Sequence, residues 1–189
     1  MKINEKKFII LTVVAIAIAF IGIAILFMST TVRTPSKSNQ VIAEVLEINK
    51  TLPWIEVQTN AVKNGRILKN FTCDGGGQEP IIKWKMYDNA NCYAVIVFDP
   101  DAPMGTFYHL IELVKINGNE INVVKVYPNS AGYEGWFPVC PPKGETHRYF
   151  FVVVALKKCE IHKNFNELIK YIDTNAVALG YEMGTYTRR

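Results

Sequence analysis

Short apolar segments recur after residue 52 in two patterns typical of β-strands: residues 54–59 alternate between apolar and polar, and residues 93–98 form a continuous run of aromatic and β-branched residues. Breaks rich in Gly, Asn, Asp and Pro separate these segments. Asn64-Gly65 and Asn117-Gly118-Asn119 have the composition of tight turns, and the second predicts a hairpin. The predicted strands are 54–59, 81–84, 93–98, 109–114, 121–126 and 149–156. A mainly β domain with a mostly antiparallel sheet is therefore expected.

One segment near the end of the chain has helical periodicity instead. Residues 165–178 are predicted to form a helix, with Asn164 as N-cap and Glu167 as its capping-box partner. Its apolar face comprises Phe165, Leu168, Ile169 and Ile172. Apolar residues at this spacing indicate a helix packed on the core.

A third pattern lies at the N-terminus, where residues 8–28 form a run of 21 residues without a charge. About 20 apolar residues suffice for a helix to cross a bilayer, so this run predicts a transmembrane anchor. Three lysines precede it, which favours a cytoplasmic N-terminus and an extracytoplasmic C-terminal domain. The expected organisation is a short cytoplasmic segment (1–7), the anchor (8–28), a linker (29–51) and the domain (52–189).

Net charge and the absence of known catalytic motifs exclude several classes of function. A formal net charge of +4 over 189 residues, without a basic stripe, argues against nucleic-acid binding. Gly75-Gly76-Gly77 lacks the Lys-Ser/Thr of a Walker loop, and no nucleophile elbow is present. Neither P-loop nor serine hydrolase chemistry is therefore expected, and since no other nucleophile or metal site is evident, the sequence predicts no enzyme activity and no cofactor.

Four cysteines, Cys73, Cys92, Cys140 and Cys159, fall in the part expected outside the membrane. An even number there suggests disulfides. If the strands that follow Cys92 and precede Cys159 are antiparallel neighbours, these two cysteines lie at one end of the sheet. Cys73 and Cys140 then pair at the other end; the alternative is four free thiols. Asn49 and Asn70 begin sequons, which are candidate glycosylation sites only if the domain is external.

The candidate chemistry follows the apolar run 93–98. The strand must end where Asp99-Pro100-Asp101-Ala102-Pro103 begins, because proline has no N–H for the sheet. His109, His147 and Tyr149 join the two acids as candidates. Three interpretations are open: histidine N–H groups that bind a small anion, a metal site of two histidines and a carboxylate, or Asp–His pairs that satisfy each other in the core.

The order of several motifs resembles the phosphatidylethanolamine-binding protein family, which includes the Raf kinase inhibitor proteins, and in particular its bacterial and archaeal branch. The motifs are Phe71-Thr72-Cys73-Asp74-Gly75, Trp84, Asp99-Pro100-Asp101-Ala102-Pro103, His109, Gly132-Tyr133-x-Gly135, Cys140-Pro141-Pro142-x-Gly144, His147-Arg148-Tyr149-x-Phe151 and Gly184-Thr185-Tyr186. The resemblance spans roughly residues 54–189.

The resemblance implies a large central sheet packed on a smaller one, a C-terminal helix, and a pocket for phosphate, phosphoryl headgroups or carboxylates. The residues it implies as the pocket lining are Asp99, Asp101, His109, Pro141, His147 and Tyr149. It makes the Ala102–Pro103 bond a cis candidate. Expected partners are a small anion or phospholipid headgroup, a kinase, or a protease; a cell-surface serine protease inhibitor is the alternative function. Trp136-Phe137-Pro138-Val139 departs from the family pattern and predicts a longer, more apolar pocket rim.

Overall fold

The computed structural model describes residues 36–88, 90–118 and 120–189. Its helices are α1 (Lys37–Val45) and α2 (Phe165–Asn175), with a short 3-10 turn at Lys69–Phe71. Its strands are β1 (Val57–Thr59), β2 (Val62–Lys63), β3 (Arg66–Ile67), β4 (Ile82–Trp84), β5 (Cys92–Asp99), β6 (Phe107–Asn117), β7 (Glu120–Val126), β8 (Thr146–Leu156) and β9 (Ala176–Thr187). Each strand predicted from the sequence overlaps one of these.

Seven strands form a large mixed sheet in the order β2-β3-β9-β8-β5-β6-β7. Its pairs are antiparallel except for β3 with β9, which are parallel. Strand β5 lies between β8 and β6, and all eight of its residues are buried. A strand covered on both faces needs a continuous apolar run, and the sequence of β5 supplies one.

The two faces of the large sheet carry different layers. Ala94, Ile96 and Phe98 of β5 pack in a core with Ile42 of α1 and with α2. Tyr93 and Val95 point to the other face, against the small sheet formed by β1 and β4. Successive residues of a strand face opposite sides, so β5 contacts both layers. The expected small sheet packed on a large one is therefore present.

Helix α1 lies within the stretch that was predicted to be a linker. Ile42, Leu46 and Ile48 are buried in the main core, and the compact unit begins at Lys37. The domain start near Leu52 is therefore corrected to Lys37. The helix is short and most of its residues are polar, so its narrow apolar stripe did not indicate a core helix in the sequence.

The end of the chain also differs from the prediction. Helix α2 begins as expected, with the Asn164 side chain accepting a hydrogen bond from the Glu167 N–H at 3.0 Å. It ends at Asn175, and residues 176–187 then form β9, which pairs with β8 along its full length. The predicted helix end at residue 178 was therefore three residues too late, because residues 176–178 are compatible with a helix or a strand.

Two disulfides lie at opposite ends of the large sheet. Cys92 at the start of β5 pairs with Cys159 beyond the end of β8, and Cys73 pairs with Cys140. This is the pairing that the strand arrangement predicted.

Across residues 36–88, 90–118 and 120–189, no helix has the length and apolar character needed to cross a bilayer. The predicted anchor, residues 8–28, lies outside these ranges.

Candidate functional site

The acids and histidines named from the sequence come from three strand ends that meet at one edge of the large sheet. Asp99 is the last residue of β5, whereas His109 and His147 lie near the beginnings of β6 and β8. Both neighbours run antiparallel to β5, so their first residues lie beside its last ones. The topology therefore brings together residues that are up to 48 positions apart.

A β-bulge aims His109 into this edge. Val97 of β5 pairs with Leu110 and Phe98 pairs with Tyr108, which leaves His109 as the extra residue of β6. Its backbone carbonyl instead accepts a hydrogen bond from the Phe137 N–H at 2.8 Å. Bulges commonly redirect a side chain next to a site.

The His109 ring is buried and has one unpaired nitrogen. Nδ1 lies 2.8 Å from the Phe137 carbonyl oxygen, which can only accept, so Nδ1 carries the proton. Nε2 has no hydrogen-bond partner among the described residues, and the residue is only 3% exposed. Burial lowers the pKa of His109 to about 4, so the ring is neutral at pH 7 and Nε2 presents a lone pair.

His147 is held between two carboxylates. Its Nδ1 lies 2.7 Å from Asp99 Oδ2, and its Nε2 lies 3.0 Å from Glu145 Oε2. Burial disfavours a charged ring, but the hydrogen bonds to Glu145 and Asp99 outweigh it and raise the pKa of His147. Both nitrogens donate, so the ring is an imidazolium. Burial raises the pKa of Asp99, against the effect of the His147 hydrogen bond.

Asp101 is engaged elsewhere. Its carboxylate accepts hydrogen bonds from Arg148 N, Nε and Nη2 at 2.9, 2.8 and 2.5 Å, and these bonds lower the pKa of Asp101. Asp101 in turn donates its backbone N–H to Asp99 Oδ1 at 2.8 Å. The residue thus positions Arg148 and Asp99 and does not line the cavity described next.

The edge opens into a cavity of about 280 Å³. Its lining residues are Asp99, Ala102, Pro103, Phe107, His109, Phe137, Cys140, Pro141, Pro142, His147 and Arg188. Four of the six residues implied by the family resemblance are in this set. Tyr149 is not: it is fully buried, with its ring edge on His109 and its hydroxyl without a hydrogen-bond partner in the described chain. Burial, followed by the charge of Asp99, raises the pKa of Tyr149.

Sequence reasoning missed Arg188 and Glu145. Arg188 follows β9, which was not predicted, so nothing placed it near the acids. Its Nε donates to Asp74 Oδ1 at 3.2 Å. Glu145 is an exposed acid in a turn, and only the observed contact with His147 distinguishes it from other surface glutamates. The alternation around His147 could have indicated that a residue two positions earlier shares its face.

The rim segment fits its expected apolar character. Phe137 lines the cavity, while Trp136 is 9% exposed and packs near His109. Two other expectations, the cis Ala102–Pro103 bond and the metal site, have no counterpart in the described residues. The described residues contain no cis peptide bond. Pro103 instead occupies the second position of a turn closed by the Gly105 N–H on Ala102 O, where a trans proline fits. In the described ranges, no three metal-ligating side chains converge.

Comparison with known proteins identifies the family. The model of the phosphatidylethanolamine-binding protein family matches residues 58–187, and the chain therefore belongs to this family. A UPF0098 protein of Aquifex aeolicus is 37% identical over 54% of this chain and 68% of its own length. The UPF0098 protein YbcL of Escherichia coli is 30% identical over 65% of this chain and 82% of its own length.

Solved structures agree on the fold. A Chlamydia trachomatis homolog of phosphatidylethanolamine-binding proteins superposes with a TM-score of 0.62 and 28% identity, over 72% of this chain and 99% of its own. The YbcL crystal structure gives a TM-score of 0.61 at 24% identity, over 71% and 99% of the two chains. The match covers almost all of each solved chain.

Proposed function

We propose that this domain binds a small oxyanion in the cavity beside Asp99, His109 and His147. The observation that carries the proposal is the buried His109 ring, which lines a cavity together with His147 and Arg188 and whose Nε2 has no hydrogen-bond partner among the described residues. An unpaired buried nitrogen is costly, and a ligand that bonds to it relieves the cost. The family takes its name from binding phosphatidylethanolamine, so a phosphoryl group is the first oxyanion to test.

The protonation states set the ligand's chemistry. Neutral His109 accepts a hydrogen bond at Nε2, so the bound group must bring a donor. A singly protonated phosphate or phosphate monoester provides one O–H for His109 and negative oxygens for the guanidinium of Arg188. The expectation that N–H groups of both histidines donate to the anion does not fit this geometry, because Nε2 of the neutral His109 ring carries no proton and His147 Nε2 already contacts Glu145.

Calorimetric titration of residues 37–189 tests the proposal with phosphate, phosphoethanolamine, glycerophosphoethanolamine and acetate. We expect binding of phosphate and phosphoethanolamine that weakens as pH rises above about 6 to 7, where the phosphate loses its second proton. The phosphate of the diester and the carboxylate of acetate carry no proton on the anionic group at neutral pH, so both ligands should bind more weakly. His109→Ala should abolish phosphate binding, whereas His162→Ala, which removes a histidine outside the cavity, should not.

A protease inhibition assay of the same variants separates this function from protease inhibition through an exposed loop. Inhibition that survives in both His109→Ala and His147→Ala, with no anion binding by the parent domain, would favour the inhibitor. We also propose a regulatory binding role without catalysis, which is the mode of action that the family resemblance implies.

We further propose that residues 8–28 tether the domain to a membrane, with the domain on the extracytoplasmic side. The uncharged run of 21 residues and the preceding lysines support the anchor and its orientation. Two disulfides support an oxidising compartment. Protease treatment of intact cells should digest the domain; a protected domain would contradict this topology.

A further inference from the structure

Glu145 occupies the Nε2 group of His147, a residue that lines the cavity. Its Oε2 lies 3.0 Å from His147 Nε2, while Nδ1 of the same ring is bonded to Asp99. Both ring nitrogens are therefore engaged by carboxylates of the protein itself. The contact shows that the His147 Nε2–H group accommodates a carboxylate oxygen.

The two carboxylates differ in their freedom to move. The Asp99 side chain is 5% exposed and accepts hydrogen bonds at both oxygens, from His147 Nδ1 and the Asp101 N–H. The Glu145 side chain is 53% exposed and makes one hydrogen bond. Asp99 is thus a fixed partner, whereas Glu145 can exchange its bond to His147 for water at little cost.

The backbone of Glu145 is fixed even though its side chain is exposed. Its N–H donates to the Pro142 carbonyl at 3.1 Å, and its carbonyl accepts from the Arg188 N–H at 3.2 Å. Both partners line the cavity. Release of His147 therefore requires only rotation of the Glu145 side chain, with the cavity wall unchanged.

We propose that Glu145 is an internal competitor that sets the affinity and selectivity of the site: an external oxyanion gains His147 Nε2 only by displacing the Glu145 carboxylate. This inference rests on the proposed oxyanion function. It also makes the site discriminate against weakly charged ligands, because the entering group must replace a charge-assisted hydrogen bond.

Phosphate titration of Glu145→Ala, Glu145→Gln and the parent domain tests the proposal. Since an exposed carboxylate contact of this kind contributes up to about 1 kcal/mol, Glu145→Ala should bind phosphate about two- to fivefold more tightly. Glu145→Gln keeps an oxygen that can accept from Nε2 and should show a smaller gain. Glu160→Ala, which removes the same charge beyond the opposite end of β8, serves as the control and should leave affinity unchanged.

The outcomes separate this inference from the function on which it rests. Phosphate binding with equal affinity in the parent and Glu145→Ala, or equal gains in Glu145→Ala and Glu160→Ala, overturns internal competition and leaves the oxyanion function standing. Absence of binding in every variant overturns both. A readout without ligand comes from imidazole NMR: Glu145→Ala should shift the His147 ring resonances, and unchanged resonances would show that the contact does not exist in solution.

Discussion

At the scale of single residues, the two histidines of the site differ in charge: His109 is neutral and His147 is protonated, each for a different physical reason. His109 has a carbonyl partner and an apolar, aromatic surrounding that includes Phe107 and Trp136, so burial decides and the ring is neutral. His147 lies between two carboxylates, which offset the cost of burying a charge. The His109 ring can therefore accept a hydrogen bond from a ligand, whereas both N–H groups of His147 are engaged by Asp99 and Glu145.

The neutral state of His109 predicts a pH dependence of stability. The folded pKa of about 4 lies below the ordinary value of 6.5. The unfolded chain therefore takes up the proton first as pH falls, and roughly 3 kcal/mol of stability is lost between pH 6.5 and 4. His109→Gln keeps a donor for the Phe137 carbonyl but does not titrate.

Denaturant unfolding of the parent and His109→Gln domains at pH 7 and pH 4.5 measures this effect. We expect the parent to lose more stability than the variant on acidification. His147 is present in both proteins, so its own titration cancels in the comparison. Equal losses, or an NMR titration of His109 with a midpoint near 6.5, would show that the ring is not buried as described.

At the scale of secondary-structure elements, β9 depends on its glycines. A Cβ on Gly180 would lie 1.8 Å from the Ile55 backbone oxygen, where the segment before β1 crosses the sheet and the Ile55 N–H bonds to Leu179 O. A Cβ on Gly184 would meet only the side-chain ends of Ile67 and Val62, at 2.8 and 2.9 Å. Glycine within a strand commonly marks such a close approach.

These contacts predict unequal costs for two identical substitutions on one strand. Gly180→Ala must displace backbone and should reduce the free energy of unfolding by more than about 3 kcal/mol, whereas Gly184→Ala needs only rotamer changes and should cost about 1 to 2 kcal/mol. Urea unfolding of the two variants measures the difference. Equal costs would mean that the segment at Ile55 does not lie against β9.

Helix α1 gives a second prediction at this scale. Ile42 is 1% exposed in the main core, so Ile42→Ala should lower the free energy of unfolding by about 2 to 5 kcal/mol. Glu44→Ala on the exposed side of the same helix should change it by less than about 0.5 kcal/mol. Equal and small effects in both variants would contradict the packing of α1. Domain fragments that begin at Leu52 lack Ile42, Leu46 and Ile48 and should be less stable than those that begin at Lys37.

At the scale of the whole molecule, the sequence predicted those strands and site residues that a local pattern of residues indicates. Continuous apolar runs located the central strands β5 and β8, and the position of Asp99 at a strand end placed the site at a sheet edge. The sequence did not predict β9 because Gly180 and Gly184 interrupt its pattern, and their reason lies in contacts with distant segments. Nor could it predict that Glu145 meets His147 or that a bulge redirects His109, because both depend on side-chain and strand geometry.

The two disulfides act on the molecule as a whole and give the last prediction. Each joins cysteines 67 positions apart, and a loop of that length corresponds to about 4 kcal/mol of stabilisation through loss of entropy in the unfolded chain. The two loops overlap in sequence, so closing the second adds less than the first. Reduction should therefore destabilise the domain by several kcal/mol without reaching twice the single value.

Mass spectrometry of unreduced, freshly isolated protein should find Cys73 linked to Cys140 and Cys92 linked to Cys159, and unfolding with and without reductant should give the expected loss of stability. Because Cys140 also lines the cavity, a Cys73→Ser, Cys140→Ser variant should lose phosphate affinity as well as stability, whereas Cys92→Ser, Cys159→Ser should lose stability alone. Four alkylated thiols in the isolated protein would contradict both the bridges and the extracytoplasmic location that they support.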